Sequence, residues 1–298
     1  MEYICYDCPR CCGAKRDDFS GSGFCRCPSL PSVVRAAPHF GEEPCITGTK
    51  GSGAVFFSGC NLRCIFCQNH EISRLPKGIT YDADRLAGLF HFLADSDVHN
   101  INIVTGTHYT RVIASALEKA QLEIPVVWNS SGYENVEMLR MLDGLVQVYL
   151  PDLKYLDPVP AGKYSFASDY PTAAKAAIRE MFRQRGKYCL DENGILKSGV
   201  LIRHLILPEN IENSMSVIDY VSENFKPGDV LFSLMSQYTP MAEFNNYPEL
   251  NLRIDSETNE HLYRYMLRMG ITDGYWQETS SGTAALLPSF DLTGLSEA

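Results

Sequence analysis

The sequence predicts an α/β fold built as an incomplete (β/α)6 barrel, and three observations predict it. Six short apolar or β-branched runs lie between residues 53 and 236, and a longer stretch with one apolar and one polar face follows each of them. The Cys-, Gly-, Pro- and Ser-rich texture of the first fifty residues ends where these runs begin. Strand–helix alternation implies parallel pairing with right-handed crossovers. Six units rather than eight favour a barrel left open, whose wider mouth admits a large or extended substrate; a doubly wound open sheet is the other arrangement.

In order, the runs are AVFFSG at 54–59, NINIVTG at 100–106, PVVWNSSG at 125–132, LVQVYLPDLK at 145–154, VLIRHLILP at 200–208 and DVLFSLMS at 229–236. Helices are predicted over 82–94, 111–121, 134–142, 171–186, 213–225 and 256–269. Residues 1–50 have no sustained period and form a small Cys-rich segment that needs a metal or the main domain to hold its shape. Residues 51–298 form the barrel with a C-terminal extension. The stretch YLDPVPAGKYSFASDYP at 155–171 reads as a long loop with a lid or partner-binding role.

Twenty-six basic residues against thirty-six acidic ones give a net charge of −10, and no block of Lys and Arg interrupts it. The electrostatic footprint of a nucleic-acid binder is missing, so no nucleic acid is expected as partner. No run approaches the ~20 apolar residues of a bilayer span, and MEYICYDCPR lacks the basic start and apolar stretch of a secretory signal, so no membrane partner and a cytoplasmic location are expected. Ten of the eleven cysteines fall in the first 67 residues. In a reducing compartment that clustering and the odd count point to metal binding or catalysis, with Cys189 left as a buried apolar filler.

GCNLRCIFCQN spaces Cys60, Cys64 and Cys67 as CxxxCxxC in the loop that leaves the first strand, where a barrel places its chemistry. With His70 as fourth ligand the set reads as a zinc knuckle; without it, as a [4Fe-4S] cluster held by three thiolates with one iron open. CNLRCIFC resembles the signature of the radical S-adenosylmethionine (SAM) enzymes in length, in position and in the aromatic Phe66 before the last cysteine. The resemblance implies that Cys60, Cys64 and Cys67 bind three irons, that SAM chelates the fourth, and that the Phe66 backbone meets the adenine. It implies further that one electron, from a reductant such as flavodoxin or ferredoxin, cleaves SAM to a 5′-deoxyadenosyl radical that takes hydrogen from a substrate.

The other strand ends supply candidate SAM contacts. After the second strand stand Thr105, Gly106, Thr107 and His108, where radical SAM enzymes usually have a Gly-Gly-Glu-like stretch; no carboxylate is present here. After the third, Asn129, Ser130 and Ser131 bond the ribose or the SAM carboxylate, or cap the next helix. LPDLK resembles the Asp-x-Lys element of glycyl-radical-enzyme activases, making Asp152 and Lys154 candidates, with a surface ion pair as the other reading. Arg203 and His204 alternate in a strand, so one of them faces inward, and Arg203 matches the activase position near the SAM carboxylate. Met235, Gln237 and Tyr238 end the sixth strand and either line the site or pack the core.

Near the N terminus Cys5, Cys8, Cys12 and Cys25 form a sensible ligand set, with Cys11 and Cys27 as rivals and Cys45 further on; a structural zinc ribbon and an auxiliary iron–sulfur cluster are both open. CPRCCGAKR, PHFGEEPCITGTKGSGAVFFSGCNLRCIFCQNHEIS, LPDLKY, RHLILP and FNNYPELN together resemble the pyruvate formate-lyase activating enzyme homologues of the PflX type. That resemblance implies hydrogen abstraction from a glycyl radical enzyme. Radical modification of a small molecule or another protein is the neighbouring alternative, and a non-catalytic metal-binding or electron-transfer protein the distant one.

Overall fold

In the computed structural model, which describes residues 3–277 and 288–295, the central element is an open, mostly parallel sheet. Its six core strands are β4 (Ser52–Phe57), β6 (Ile101–Val104), β7 (Val126–Ser130), β8 (Val148–Pro151), β10 (Leu196–Leu205) and β11 (Leu231–Met235). They pair in that order, each parallel to the next. Every residue of β4, β6, β7, β8 and β11 is buried, the pattern of strands covered on both faces. Each of the six overlaps a run read from the sequence.

The sheet is wider than those six. The strand β12 (Gly274–Trp276) extends it in parallel beyond β11. On the other side β3 (Ser32–His39) pairs antiparallel with β4, and β5 (Ile79–Thr80) pairs antiparallel with the start of β3. Residues 292 and 293 add backbone bonds to Val34 and Ala36. A short β9 (Cys189–Leu190) folds back on β10. The hairpin β1 (Tyr3–Cys5) with β2 (Ala14–Arg16) forms its own small sheet. Cys189 is exposed on β9, not a buried filler, because β9 is a two-residue strand paired only with the start of β10, at Leu196 and Ser198.

The helices are α1 (Pro44–Thr47), α2 (His70–Ser73), α3 (Ala83–Ala94), α4 (Thr110–Ala120), α5 (Val136–Arg140), α6 (Pro158–Ser165), α7 (Tyr170–Arg185), α8 (Ile211–Asn224) and α9 (Ser256–Arg268). Side-chain caps fix several starts: Asp82 accepts from the Arg85 amide, Asp157 from Val159 and Asp255 from Thr258. Residues 155–171, expected as one long loop, contain α6. Pro158 stands at the start of that helix, where a missing N–H costs nothing. The cap of α5 is Asn135, accepting from Glu137 at 3.0 Å, and not Asn129, Ser130 or Ser131. Ser130 instead receives the Gly132 amide at 3.2 Å.

On β10 the alternation of side chains is resolved. Arg203 points into the mouth of the sheet, while His204 is buried beneath α8, facing the Leu153 carbonyl at 2.7 Å and the Ser214 hydroxyl at 2.9 Å. Burial pushes the His204 pKa down to about 4. The folded chain therefore keeps this ring neutral, whereas the unfolded chain protonates it below about pH 6.5. Stability from this residue is present above pH 6.5 and is lost as pH falls toward 4. Urea unfolding should show a pH-dependent loss across that window, of which His204 contributes up to about 3 kcal/mol beside buried His108, whose pKa is also pushed down; His204→Asn should remove its share and leave that of His108.

Candidate functional site

Strand register brings the chemistry together. Val104 pairs with Asn129, Ser130 with Pro151, and Asp152 bridges Arg203, so four strand ends stop at one level. Beyond them lies a cavity of about 250 Å³. Its wall includes Cys60, Cys64, Cys67, Phe66, Thr105, Asn129, Ser130, Asp152, Lys154 and Arg203, which the sequence nominated, together with Ser131, Met235 and Gln237.

The three thiols sit on a loop held from several sides. Gly59 turns the chain at φ 80°, and a Cβ there would meet the Cys27 sulfur at 2.0 Å, so no larger residue fits. The Cys60 sulfur accepts the Leu62 and Arg63 amides at 3.3 and 3.4 Å. The Asn61 side chain donates to the Tyr133 carbonyl, and the Ile65 amide to the Tyr164 carbonyl on α6. Ser165, the last residue of α6, donates its hydroxyl to the Cys64 sulfur at 3.0 Å. Burial pushes the Cys60 and Cys64 thiols up, Cys64 to about 12, with the Lys154 charge opposing the rise. His70, the fourth ligand of a zinc knuckle, does not line this cavity. Among the described residues no three His, Cys, Asp or Glu side chains meet at the spacing of a single-ion site.

Opposite the thiols is a buried charge network. Arg203 donates from Nε to Asp152 at 3.0 Å, from Nη1 to Glu42 at 2.8 Å and from Nη2 to the Asn129 carbonyl oxygen at 2.7 Å. Lys154 donates to the other Asp152 oxygen at 2.6 Å, and Asn129 donates to Glu42 at 2.9 Å. The Asp152 and Lys154 side chains are 17% and 16% exposed, so this is no surface pair. Burial alone would raise the Asp152 pKa, yet Lys154 and Arg203 hold it below the usual value. Burial acts the other way on Lys154, but Asp152 and the Cys64 and Cys67 sulfurs keep that amine's pKa raised.

Glu42 and Glu43 escaped the sequence reading. They precede α1, and the fold carries them across to the strand ends. Glu43 is 6% exposed, and its Oε2 has no hydrogen-bond partner, although it lies 3.9 Å from the Arg203 Nη1 as an ion pair. Burial raises its pKa, against the Arg203 charge. A carboxylate oxygen at the cavity wall with no hydrogen bond of its own suits a cationic guest. Three soft thiols on one side and paired carboxylates, amine and guanidinium on the other fit an iron–sulfur cluster and an amino-acid-like sulfonium ligand.

Other nominated residues stand elsewhere. Gly106, Thr107 and His108 do not line the cavity. A Cβ on Gly106 would strike Ile103, Ile113 and Trp128. Thr107 donates to buried Glu134 at 2.8 Å, which also accepts from Trp128, so this strand end braces the core. His108 is buried with Nε2 2.9 Å from the Ser58 carbonyl oxygen, and burial pushes its pKa down to about 3. Tyr238 donates to the Leu250 carbonyl and sets its ring edge-on to Phe66. Cys5, Cys8, Cys12 and Cys25 line a second, small cavity, Cys12 being exposed at its rim; Cys11, also exposed, does not line it, and Cys27 donates to the Cys25 carbonyl. Cys45 lies in a separate apolar cluster.

Residues 54–159 match the Radical SAM superfamily. A curated relative, an uncharacterized protein of Methanocaldococcus jannaschii, is 29% identical over 266 residues, covering 86% of this chain and 72% of its own length. The crystal structure of Streptococcus suis SuiB bound to S-adenosylmethionine aligns over 80% of this chain at 13% identity with a TM-score of 0.47. The chain spans about half of that structure, 49%. None of the described helices is long and apolar enough to cross a membrane.

Removing Arg203 should leave Glu42 buried with amide partners alone. Arg203→Met should cost on the order of 3–5 kcal/mol in urea unfolding, and adding Glu42→Gln should restore part of it. A loss below about 0.5 kcal/mol would show that the network is solvated rather than buried.

Proposed function

We propose that this chain, whose residues 54–159 match the Radical SAM superfamily, is a radical SAM enzyme that cleaves SAM reductively and uses the product radical to take hydrogen from a glycyl radical enzyme. The observation that carries the reading is the cavity itself, with three thiols on one wall and the Arg203–Asp152–Lys154–Glu42 network on the other. When bound, the cluster passes one electron to the SAM sulfonium, giving methionine and a 5′-deoxyadenosyl radical that becomes 5′-deoxyadenosine on taking a hydrogen atom.

The chain's own residues do the holding. Cys60, Cys64 and Cys67 are the cluster's thiolates, and the Leu62 and Arg63 amides and the Ser165 hydroxyl stabilise two of those sulfurs as anions. Arg203 and Lys154 suit the SAM carboxylate. Glu43, whose Oε2 has no hydrogen bond, suits the ammonium or sulfonium and would stand in for the carboxylate missing after the second core strand. Thr105, Asn129 and Ser130 offer polar groups to the ribose, and the Phe66 backbone is the contact proposed for the adenine. The buried apolar residues around Phe66 exclude water from a reactive radical.

The activase assignment rests on LPDLK and on the motifs shared with the PflX-type homologues. The same reading puts the chain in a reducing cytoplasm with flavodoxin or ferredoxin as electron donor.

Anaerobic reconstitution with iron and sulfide, then dithionite and SAM, should yield 5′-deoxyadenosine, and Cys64→Ala should bring the yield to background. Ser165→Ala should lower cluster affinity or turnover by roughly tenfold to a hundredfold. SAM recovered intact from the reconstituted wild type would refute the reading. With a glycyl radical enzyme added, a glycine-centred EPR signal is expected; 5′-deoxyadenosine formed without that signal would refute the activase assignment alone.

A further inference from the structure

We propose that Cys5, Cys8, Cys12 and Cys25 form a closed four-thiolate site for one thiophilic divalent ion of the Zn2+ class, and that the filled site positions Arg10 on the three-cysteine loop. These four thiols line one cavity of about 10 Å³, room for about a single water-sized sphere. Four thiols around so small a space match the tetrahedral demand of one ion with bonds of about 2.3 Å once they close on it. Gly23 closes the cradle, since a Cβ there would come within 3.2 Å of the Cys12 sulfur and 4.0 Å of the Cys25 sulfur.

A second observation points to an anionic occupant. Arg16 is 1% exposed, and no carboxylate among the described residues forms an ion pair with it. It donates to the His108 carbonyl at 2.8 Å and to the Cys5 sulfur at 3.5 Å, and its Nε has no partner. A buried guanidinium needs a counter-charge. Four thiolates around a divalent ion carry a net charge of −2 and supply one. The thiols do not stand at single-ion spacing, so uptake draws them inward, which a hairpin of two three-residue strands permits.

Arg10 lies between Cys8 and Cys12 and reaches out of the hairpin. It donates to the Asn61 carbonyl at 2.9 Å and the Ser165 carbonyl at 2.9 Å, bonds the Phe166 carbonyl, and stacks 3.9 Å from the centre of the Phe24 ring. Asn61 follows Cys60, and Ser165 is the donor to Cys64. Fixing Cys8 and Cys12 thus fixes the clamp on the loop. This half rests on the cluster reading of Cys60, Cys64 and Cys67; the ion site does not.

The full chain carrying Cys60→Ala, Cys64→Ala and Cys67→Ala, purified anaerobically from medium with zinc and iron, tests the site by metal and acid-labile sulfide analysis. About one zinc per chain without sulfide is expected, retained on adding Cys11→Ala and reduced to background on adding Cys8→Ala with Cys12→Ala. Iron with sulfide, no metal, zinc lost with Cys11, or zinc surviving without Cys8 and Cys12 would each overturn the site. In the otherwise native chain, Arg10→Met should keep its zinc but release iron to a chelator about tenfold more readily. Unchanged iron retention would overturn the positioning role. A native chain that takes up no iron would refute the cluster reading, and with it the positioning half, while the zinc result stands apart.

Discussion

A cation buried away from water must meet an anion, and that constraint organises this protein. Arg203 is the clearest case. Its fork binds Asp152 beyond β8, Asn129 on β7 and Glu42 ahead of α1, so one side chain joins the ends of three strands to a residue 161 positions away in sequence. Lys154 follows the same rule between Asp152 and the sulfurs of Cys64 and Cys67. The geometry that pairs these charges also aims them at the cavity.

A cost comes with such a network. Ordered charges in a poorly hydrated site are expensive unless each is satisfied, and Glu43 Oε2 has only a 3.9 Å ion pair with Arg203 and no hydrogen bond. A carboxylate oxygen without a hydrogen bond, at the wall of a site whose proposed guest is an ammonium and a sulfonium, is where binding gains most. On the proposed function, the strand-end logic of parallel α/β proteins is kept while the acid comes from a different part of the chain.

The six parallel strands were legible because five are buried throughout and β10 over most of its length, so that each reads as a largely apolar run, and the three-cysteine loop because its spacing is local. The strand Ser32–His39 was not, since Arg35 and Pro38 break its pattern and its partners come from later in the chain. Residues 155–171 read as a loop because Pro158, Pro160 and Gly162 are poor helix formers, although Pro158 is well placed at a helix start. Position along the chain put Thr107 and His108 at a strand end but could not tell which side of that end they face; Glu134 and Ser58 hold them away from the cavity. Glu42, Glu43 and Ser165 reach their places only through tertiary contacts.

The proposed function stands on three thiolates with no fourth protein ligand among the described residues, which would leave one iron of the cluster open to SAM. The most direct measurement is the EPR spectrum of the dithionite-reduced, reconstituted protein before and after SAM is added. Coordination of SAM at the open iron predicts a changed set of g-values on addition. A spectrum that SAM leaves unaltered, with SAM shown to be present in excess, would contradict it.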